Sequence, residues 1–129
     1  MAHQAAIRGC RVLIIEDEYF VGDDLANALR SLGAHAIGPI CGLAEGLSIH
    51  PDSFDVAVLD INLRGASSYP LADELMRIGK PFIFTTGYGA ETIPDRFGHV
   101  HRLEKPWQLE DVVAAIDRIC GQLQPHVPA

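Results

Sequence analysis

The chain reads as an α/β protein: a doubly wound parallel sheet with helices on both faces. Two observations predict this. Short apolar runs alternate with segments of helical periodicity along the whole sequence, the pattern that successive βαβ units impose. Right-handed crossovers then leave few topologies. Several of the runs also end in polar groups suited to phosphate and metal chemistry, and ligands of open α/β sheets bind outside the carboxyl ends of the strands.

Length and composition narrow the classes. The 129 residues suffice for one ordinary domain and are too few for two well-buried ones. With 48% hydrophobic and 21% charged residues, the chain has the balance of a soluble globular protein rather than a disordered tail. A net charge of -7 and a pI near 5.2, without clustered Lys and Arg, argue against a nucleic-acid surface. No apolar run approaches the about 20 residues that span a bilayer, and Met1 to Arg11 has no signal-peptide core. The expectation is a cytoplasmic protein with no membrane or nucleic-acid partner. Cys10, Cys41 and Cys120 are odd in number and lack metal-type spacing, so free reduced thiols are expected.

The elements follow in order. Met1 to Gly9 is expected to be a loose arm. Arg11 to Ile15, rich in β-branched residues, is the first strand. Val21, Leu25, Ala28, Leu29 and Leu32 recur at helical spacing, and Gly33 stops that helix. Ala34 to Ile40 is a second, less apolar strand broken by Gly38-Pro39. Leu43 to Ile49 is a short helix before the turn at Pro51-Asp52-Ser53. Asp55 to Leu59 is the third strand, and Gly65 to Ser68 a loop. Pro70 opens a helix with Leu71, Leu75 and Ile78 as its buried stripe. Phe82 to Thr85 is the fourth strand. Ala90 to His99, with Pro94, leaves room only for a short or irregular helix. Val100 to Leu103 is the fifth strand, with His99 and His101 on one side of it. Leu109, Val112, Val113, Ile116, Ile119 and Cys120 define the last helix. Residues 1–10 are thus an arm, 11–121 the domain and 122–129 a tail.

The strand ends carry the chemistry. The first strand stops at Glu16-Asp17, the third at Asp60, the fourth at Thr85-Thr86, and a later segment at Lys105-Pro106. Three carboxylates at one edge repel one another, and at least one pKa should rise. A hard divalent cation resolves that conflict, because Mg²⁺ takes oxygen ligands and bridges carboxylates to phosphate. Asn62 could add its backbone carbonyl. Taken singly, each residue has an ordinary explanation: Glu16-Asp17 as helix caps, Thr86 as a strand former, Lys105 as a loop lysine. Consecutive threonines point to opposite faces, so at most one of them faces the site. The set, each member ending a successive apolar segment, is what carries weight.

That set resembles the receiver domain of bacterial two-component response regulators over Arg11 to Cys120. The resemblance implies a flavodoxin-like receiver fold with five strands in the order 2-1-3-4-5. It implies that Asp60 accepts a phosphoryl group from the phosphohistidine of a histidine kinase. Glu16 and Asp17, with Asp60 and the Asn62 carbonyl, would hold Mg²⁺ (or Mn²⁺). Thr86 would be the switch hydroxyl, Lys105 the phosphate-binding lysine, and Lys105-Pro106 a cis bond. Phe84-Thr85-Thr86-Gly87-Tyr88-Gly89 is similar to the Phe-Ala-Thr-Gly-aromatic/Gly signature of a subclass common in alphaproteobacteria. Asp60-Ile61-Asn62-Leu63 followed by Gly65, and Pro81-Phe82, fit it too. Members of that subclass are often stand-alone receivers served by kinases of the HWE or related types. The sequence ends soon after Cys120, so the expected output is protein contact, onward phosphotransfer to a histidine phosphotransfer protein, or competition for kinase phosphate as a sink. The expected state is a monomer or weak homodimer.

Two positions depart from the family. Arg102 stands where most receivers carry Tyr or Phe three residues before the lysine, so Gly87, Tyr88 and Gly89 become the candidate switch loop, with glycines that permit backbone change. Arg64 stands where proline is usual, and a solvated loop arginine is the plain reading. Trp107 is expected to pack the last helix. Rival classes fit less well. A haloacid dehalogenase-type hydrolase would need a second Asp where Asn62 lies. An FMN module would have its phosphate repelled by Glu16-Asp17-Glu18. A phosphorylation-independent pseudo-receiver would not need Asp17, Asp60, Thr86 and Lys105 together.

Overall fold

A computed structural model describes residues 5–87 and 93–123 of the chain. Its elements are β1 (Arg11–Ile15), α1 (Tyr19–Ser31), β2 (His35–Ile40), α2 (Leu43–Leu47), β3 (Val56–Asp60), β4 (Asn62–Leu63), β5 (Ala66–Ser67), α3 (Tyr69–Ile78), β6 (Phe82–Thr86), β7 (Arg102–Glu104) and α4 (Leu109–Leu123). The five long-range strands form one parallel sheet in the order β2-β1-β3-β6-β7. Since β4 and β5 pair only with each other, this is the expected doubly wound 2-1-3-4-5 sheet.

The central strands are buried on both faces, which is why they read as unbroken apolar runs rather than as alternating ones. All five residues of β3 and of β6 are buried. One face carries Val12, Ile14, Val56, Val58 and Ile83, covered by Leu25, Ala26 and Leu29 of α1 and by Val112, Val113, Ala115 and Ile116 of α4. The other carries Leu13, Ile15, Ala57, Leu59, Phe82 and Phe84, covered by Leu71, Ala72 and Leu75 of α3 with Leu43 of α2. Helices α1, α3 and α4 thus bury positions three and four apart, the stripe their periodicity announces. At 1.5–3 kcal/mol for a fully buried large apolar side chain, roughly, these two layers supply the main driving force for folding. A ring cluster of Tyr69, Phe82, Phe84 and Phe97 completes the second layer, with Tyr69 stacked on Phe97 at 5.3 Å between centroids.

Five expectations are corrected. The arm is not loose from residue 5 onward: Ala5–Ile7 is a short 3-10 turn, Ile7 is fully buried, and its N–H donates to Asp117 of α4 (3.0 Å). The pair Gly38-Pro39 does not break the second strand. Gly38 takes φ +112 before a cis bond to Pro39, the β1 register shifts there, and a Cβ at Gly38 would lie 2.6 Å from the Ile14 carbonyl. Only glycine permits so close a backbone approach. Cys10 and Cys120 form a disulfide, leaving Cys41 as the free thiol. They are 110 residues apart, and only the return of α4 past the start of β1 brings them together. The stretch read as a loop at Gly65 to Ser68 contributes β5 of a small antiparallel hairpin. Finally, the fifth strand begins at Arg102, so His99 and His101 precede it rather than sharing one of its sides.

The weak segment before β7 holds a single 3-10 turn, Asp95–Phe97, among its described residues. Burial of Phe97 and an Arg96–Asp73 ion pair (2.7 Å) dock that turn onto α3. Among the described residues no helix is long and apolar enough to cross a membrane.

Candidate functional site

Parallel strands deliver their last residues to one edge, and here that edge is acidic. Strands β1 and β3 run side by side in register, Ile15 opposite Leu59, so Glu16 and Asp60 emerge together. Both are buried, each about 3% exposed. Thr86 ends β6 beside them and Lys105 follows β7; the Lys105 N–H donates to the Thr86 carbonyl (2.7 Å). A cavity of roughly 750 Å³ opens here, lined among others by Asp17, Glu18, Asp60, Asn62, Thr86 and Lys105. Trp107 and Leu109 form an apolar wall. Trp107 also packs against the core under α4, as expected.

Lys105 is the hub. Its Nζ donates to Glu16 Oε2 (3.0 Å), Glu18 Oε1 (2.8 Å) and Asp60 Oδ2 (3.2 Å). One ammonium thus serves three carboxylates, with Asp17 adjacent. The imbalance shows in the ionisation. Burial, then the neighbouring Asp60, pushes the Glu16 carboxyl up to about 8. Burial also raises Asp60, against the opposing pull of Glu16 and Lys105. For Lys105, burial alone would lower its pKa, but Glu18, Glu16 and Asp60 outweigh that and hold it above its ordinary value. Burial would raise Asp17 too, yet the Arg64 N–H, the neighbouring carboxylates and Lys105 hold it below the ordinary carboxylate range.

The donor set fits a hard divalent cation. Oxygens of Glu16, Asp17 and Glu18 lie within 4.8 Å of one another, and the charge of Asp60, which adds to burial in raising Glu16, is what a cation would offset. The alternative role of Glu16-Asp17 as N-caps is not taken up: Glu18 is the N-cap and makes no side-chain capping bond, while Glu16 Oε2 accepts from the Glu18 N–H (3.1 Å), ahead of the helix itself.

Asn62 sits on the lip, tied twice to the site. Its N–H donates to Asp60 Oδ1 (3.3 Å) and its Oδ1 accepts from Gly65 N–H (3.2 Å). Thr86 lines the cavity and Thr85 does not, which agrees with the alternation rule. Gly87 reaches the cavity rim; Tyr88 and Gly89 lie outside the described residues. Arg102 is exposed at the start of β7, and Lys105-Pro106 is cis.

Two contributors went unread in the sequence. Glu18 was legible only as the third member of an acidic run. The second is the backbone of Arg64, whose N–H donates to Asp17 Oδ2 (3.1 Å). An x-Gly dipeptide between short extended segments is a hairpin signal, but Arg in its first position makes it a faint one.

Comparison with known proteins gives this geometry a family. No family model matches the chain. The structure of SdrG from Sphingomonas melonis Fr1 is 30% identical, with a TM-score of 0.74 over 92% of this chain and 98% of that one. The receiver domain of the PhyR response regulator from Erythrobacter litoralis is 26% identical, with a TM-score of 0.71 over 96% and 98% of the two chains. Nodulation protein W of Bradyrhizobium diazoefficiens is 33% identical over 90% of this chain, which spans 55% of that relative's length. The chain belongs to the response regulator receiver domains.

Proposed function

We propose that Asp60 is the phosphoacceptor of this receiver and takes its phosphoryl group from a histidine kinase. The observation that carries this is Lys105 bonded at once to Asp60 and Glu16 at the C-terminal edge of the sheet, in one cavity with Asn62 and Thr86. Glu16, Asp17 and Asp60, with the Asn62 carbonyl, would hold a Mg²⁺ or Mn²⁺ ion, which would supply positive charge against the negative charge of the transferring phosphoryl group. The protein's own groups do the rest. A carboxylate oxygen of Asp60 forms the new P–O bond in line as the donor's P–N bond breaks, and the bonding electrons leave with the imidazole. Lys105 offsets charge on the phosphoryl oxygens, and the Thr86 hydroxyl donates to one of them. Asn62 N–H orients the acceptor carboxylate.

The resemblance to the alphaproteobacterial Phe-Ala-Thr-Gly subclass extends the reading. Sensor histidine kinases of the HWE or related types become the proposed donors to a receiver proposed to be cytoplasmic, and a histidine phosphotransfer protein or another regulator the proposed recipient. With Arg102 in place of the usual ring, the Gly87-Tyr88-Gly89 loop is the proposed readout of the modified state. NMR shifts of the two states test that loop: an unchanged Tyr88 alongside shifts elsewhere would count against it.

Acetyl phosphate with Mg²⁺ tests the acceptor directly. Intact-mass measurement should show one added phosphoryl group on the wild type and none on Asp60→Asn. Equal labelling of the two proteins would overturn the assignment.

A further inference from the structure

The turn between β4 and β5 is built in an unusual backbone conformation. Arg64 has φ +52, and the described residues contain no other non-glycine residue at positive φ; Gly65 follows at φ +85. Two successive positive φ angles between the pairs Asn62↔Ser67 and Leu63↔Ala66 make a two-residue hairpin turn of the primed type. A side chain in the left-handed region costs energy, and such strain persists where the surroundings hold it in place. Here the surroundings are functional. The turn aims the Arg64 N–H at Asp17 Oδ2, 47 residues earlier in the chain (3.1 Å), and Gly65 N–H at Asn62 Oδ1. Asn62 N–H in turn reaches Asp60. The Arg64 residue itself is exposed, so its backbone is the part engaged with the site.

We propose that the main-chain N–H of Arg64 is a positioning group for Asp17. By occupying Oδ2 it fixes the plane of the carboxylate and leaves Oδ1 for the divalent cation. The hairpin is then a support for the metal ligand, contributing through its backbone rather than through the arginine side chain. Outer partners that orient a metal ligand are typically worth about 10–100-fold in metal affinity.

This inference rests on the reading that the acidic cluster holds a divalent cation, and the test separates the two. Trp107 is the sole tryptophan and lines the cavity, so Mn²⁺ binding can be followed by quenching of its fluorescence. Arg64→Ala and Arg64→Gly both keep the N–H, and glycine relaxes the positive φ; both should bind Mn²⁺ as the wild type does. Arg64→Pro lacks the N–H and cannot adopt the turn; its affinity should fall about 10-fold or more. Amide exchange in the metal-free protein provides a readout that does not depend on the proline variant folding. The Arg64 amide should be protected in the wild type and should exchange about 10-fold faster in Asp17→Ala, the expected loss of one charge-assisted hydrogen bond. Wild-type binding with an Arg64→Pro variant that binds equally well would overturn the positioning role, as would an Arg64 amide indifferent to Asp17→Ala. Absence of Mn²⁺ binding by the wild type would instead overturn the cation reading beneath it.

Discussion

The two ends of the sheet are built on opposite principles. At the N-terminal edge of the strands charges are matched and the chain is tied down. Arg11 donates through its side chain (3.3 and 2.8 Å) and its N–H (2.9 Å) to Asp55. Lys80 donates to the Phe54 carbonyl (2.7 Å) and lies over its ring. Ile7 is bonded to Asp117, and the Cys10–Cys120 disulfide joins the start of β1 to the last turns of α4. At the C-terminal edge one lysine faces three carboxylates and a fourth lies alongside. Local agreement among interactions marks a region built for stability, and local conflict marks one kept for a ligand. One end holds the fold so that the other can carry unbalanced charge.

The largest expected effect comes from opening the tied end. Replacing Cys10 and Cys120 together with alanine frees a closure of 110 residues. Denaturant unfolding should show a loss of about 2–5 kcal/mol, with Mn²⁺ affinity unchanged because the acid cluster lies at the other edge. A variant that kept its stability but lost metal binding would break the division between the two ends.

Next in size is removal of the hub. Lys105→Met leaves Glu16, Asp60 and Glu18 without their shared cation. In metal-free buffer at neutral pH this should cost about 3 kcal/mol, the penalty for stripping one partner from a buried ionic cluster. Added Mg²⁺ should restore more stability to this variant than to the wild type. Equal gains in the two proteins would mean that the carboxylate repulsion is not what Lys105 offsets.

A smaller effect follows from the raised Glu16 pKa. The ordinary value of 4.5 holds in the unfolded chain, and burial beside Asp60 raises it to about 8 in the folded protein. The folded state therefore binds this proton more tightly. Its stabilising contribution is complete below pH 4.5 and is lost as pH rises through about 8. Asp17 and Asp55, held below their ordinary value, act in the other sense and only at lower pH. Metal-free wild type should lose stability from pH 5 to 8 with a slope of up to about 1.4 kcal/mol per pH unit, and Glu16→Gln should flatten it. Thermal melts across that range are the check; a parallel slope in the variant would assign the proton elsewhere.

The smallest effect belongs to the Arg11–Asp55 pair, whose side chains are 42% and 32% exposed. Such half-exposed pairs contribute little, so Arg11→Ala should lower the denaturation midpoint only slightly, and by less in high salt. A salt-independent loss several times larger would mean the matched end depends on charge more than on packing and the disulfide.

The sequence alone determined the layered fold and most of the candidate site, because both depend on signals that are local in the chain. Strand period, helix period and the last residue of each strand are read within a few positions, and a parallel sheet brings strand ends to one edge by construction. Glu16, Asp17, Asp60, Thr86 and Lys105 were legible for that reason. Contacts between distant segments, and backbone angles that composition does not announce, came only with the folded chain. Cys10 meets Cys120 because α4 returns past β1. Lys105 reaches Glu18 as well as Asp60 because the strand ends converge in three dimensions. Arg64 serves through its backbone, in a positive-φ turn that its side chain disfavours and the fold imposes.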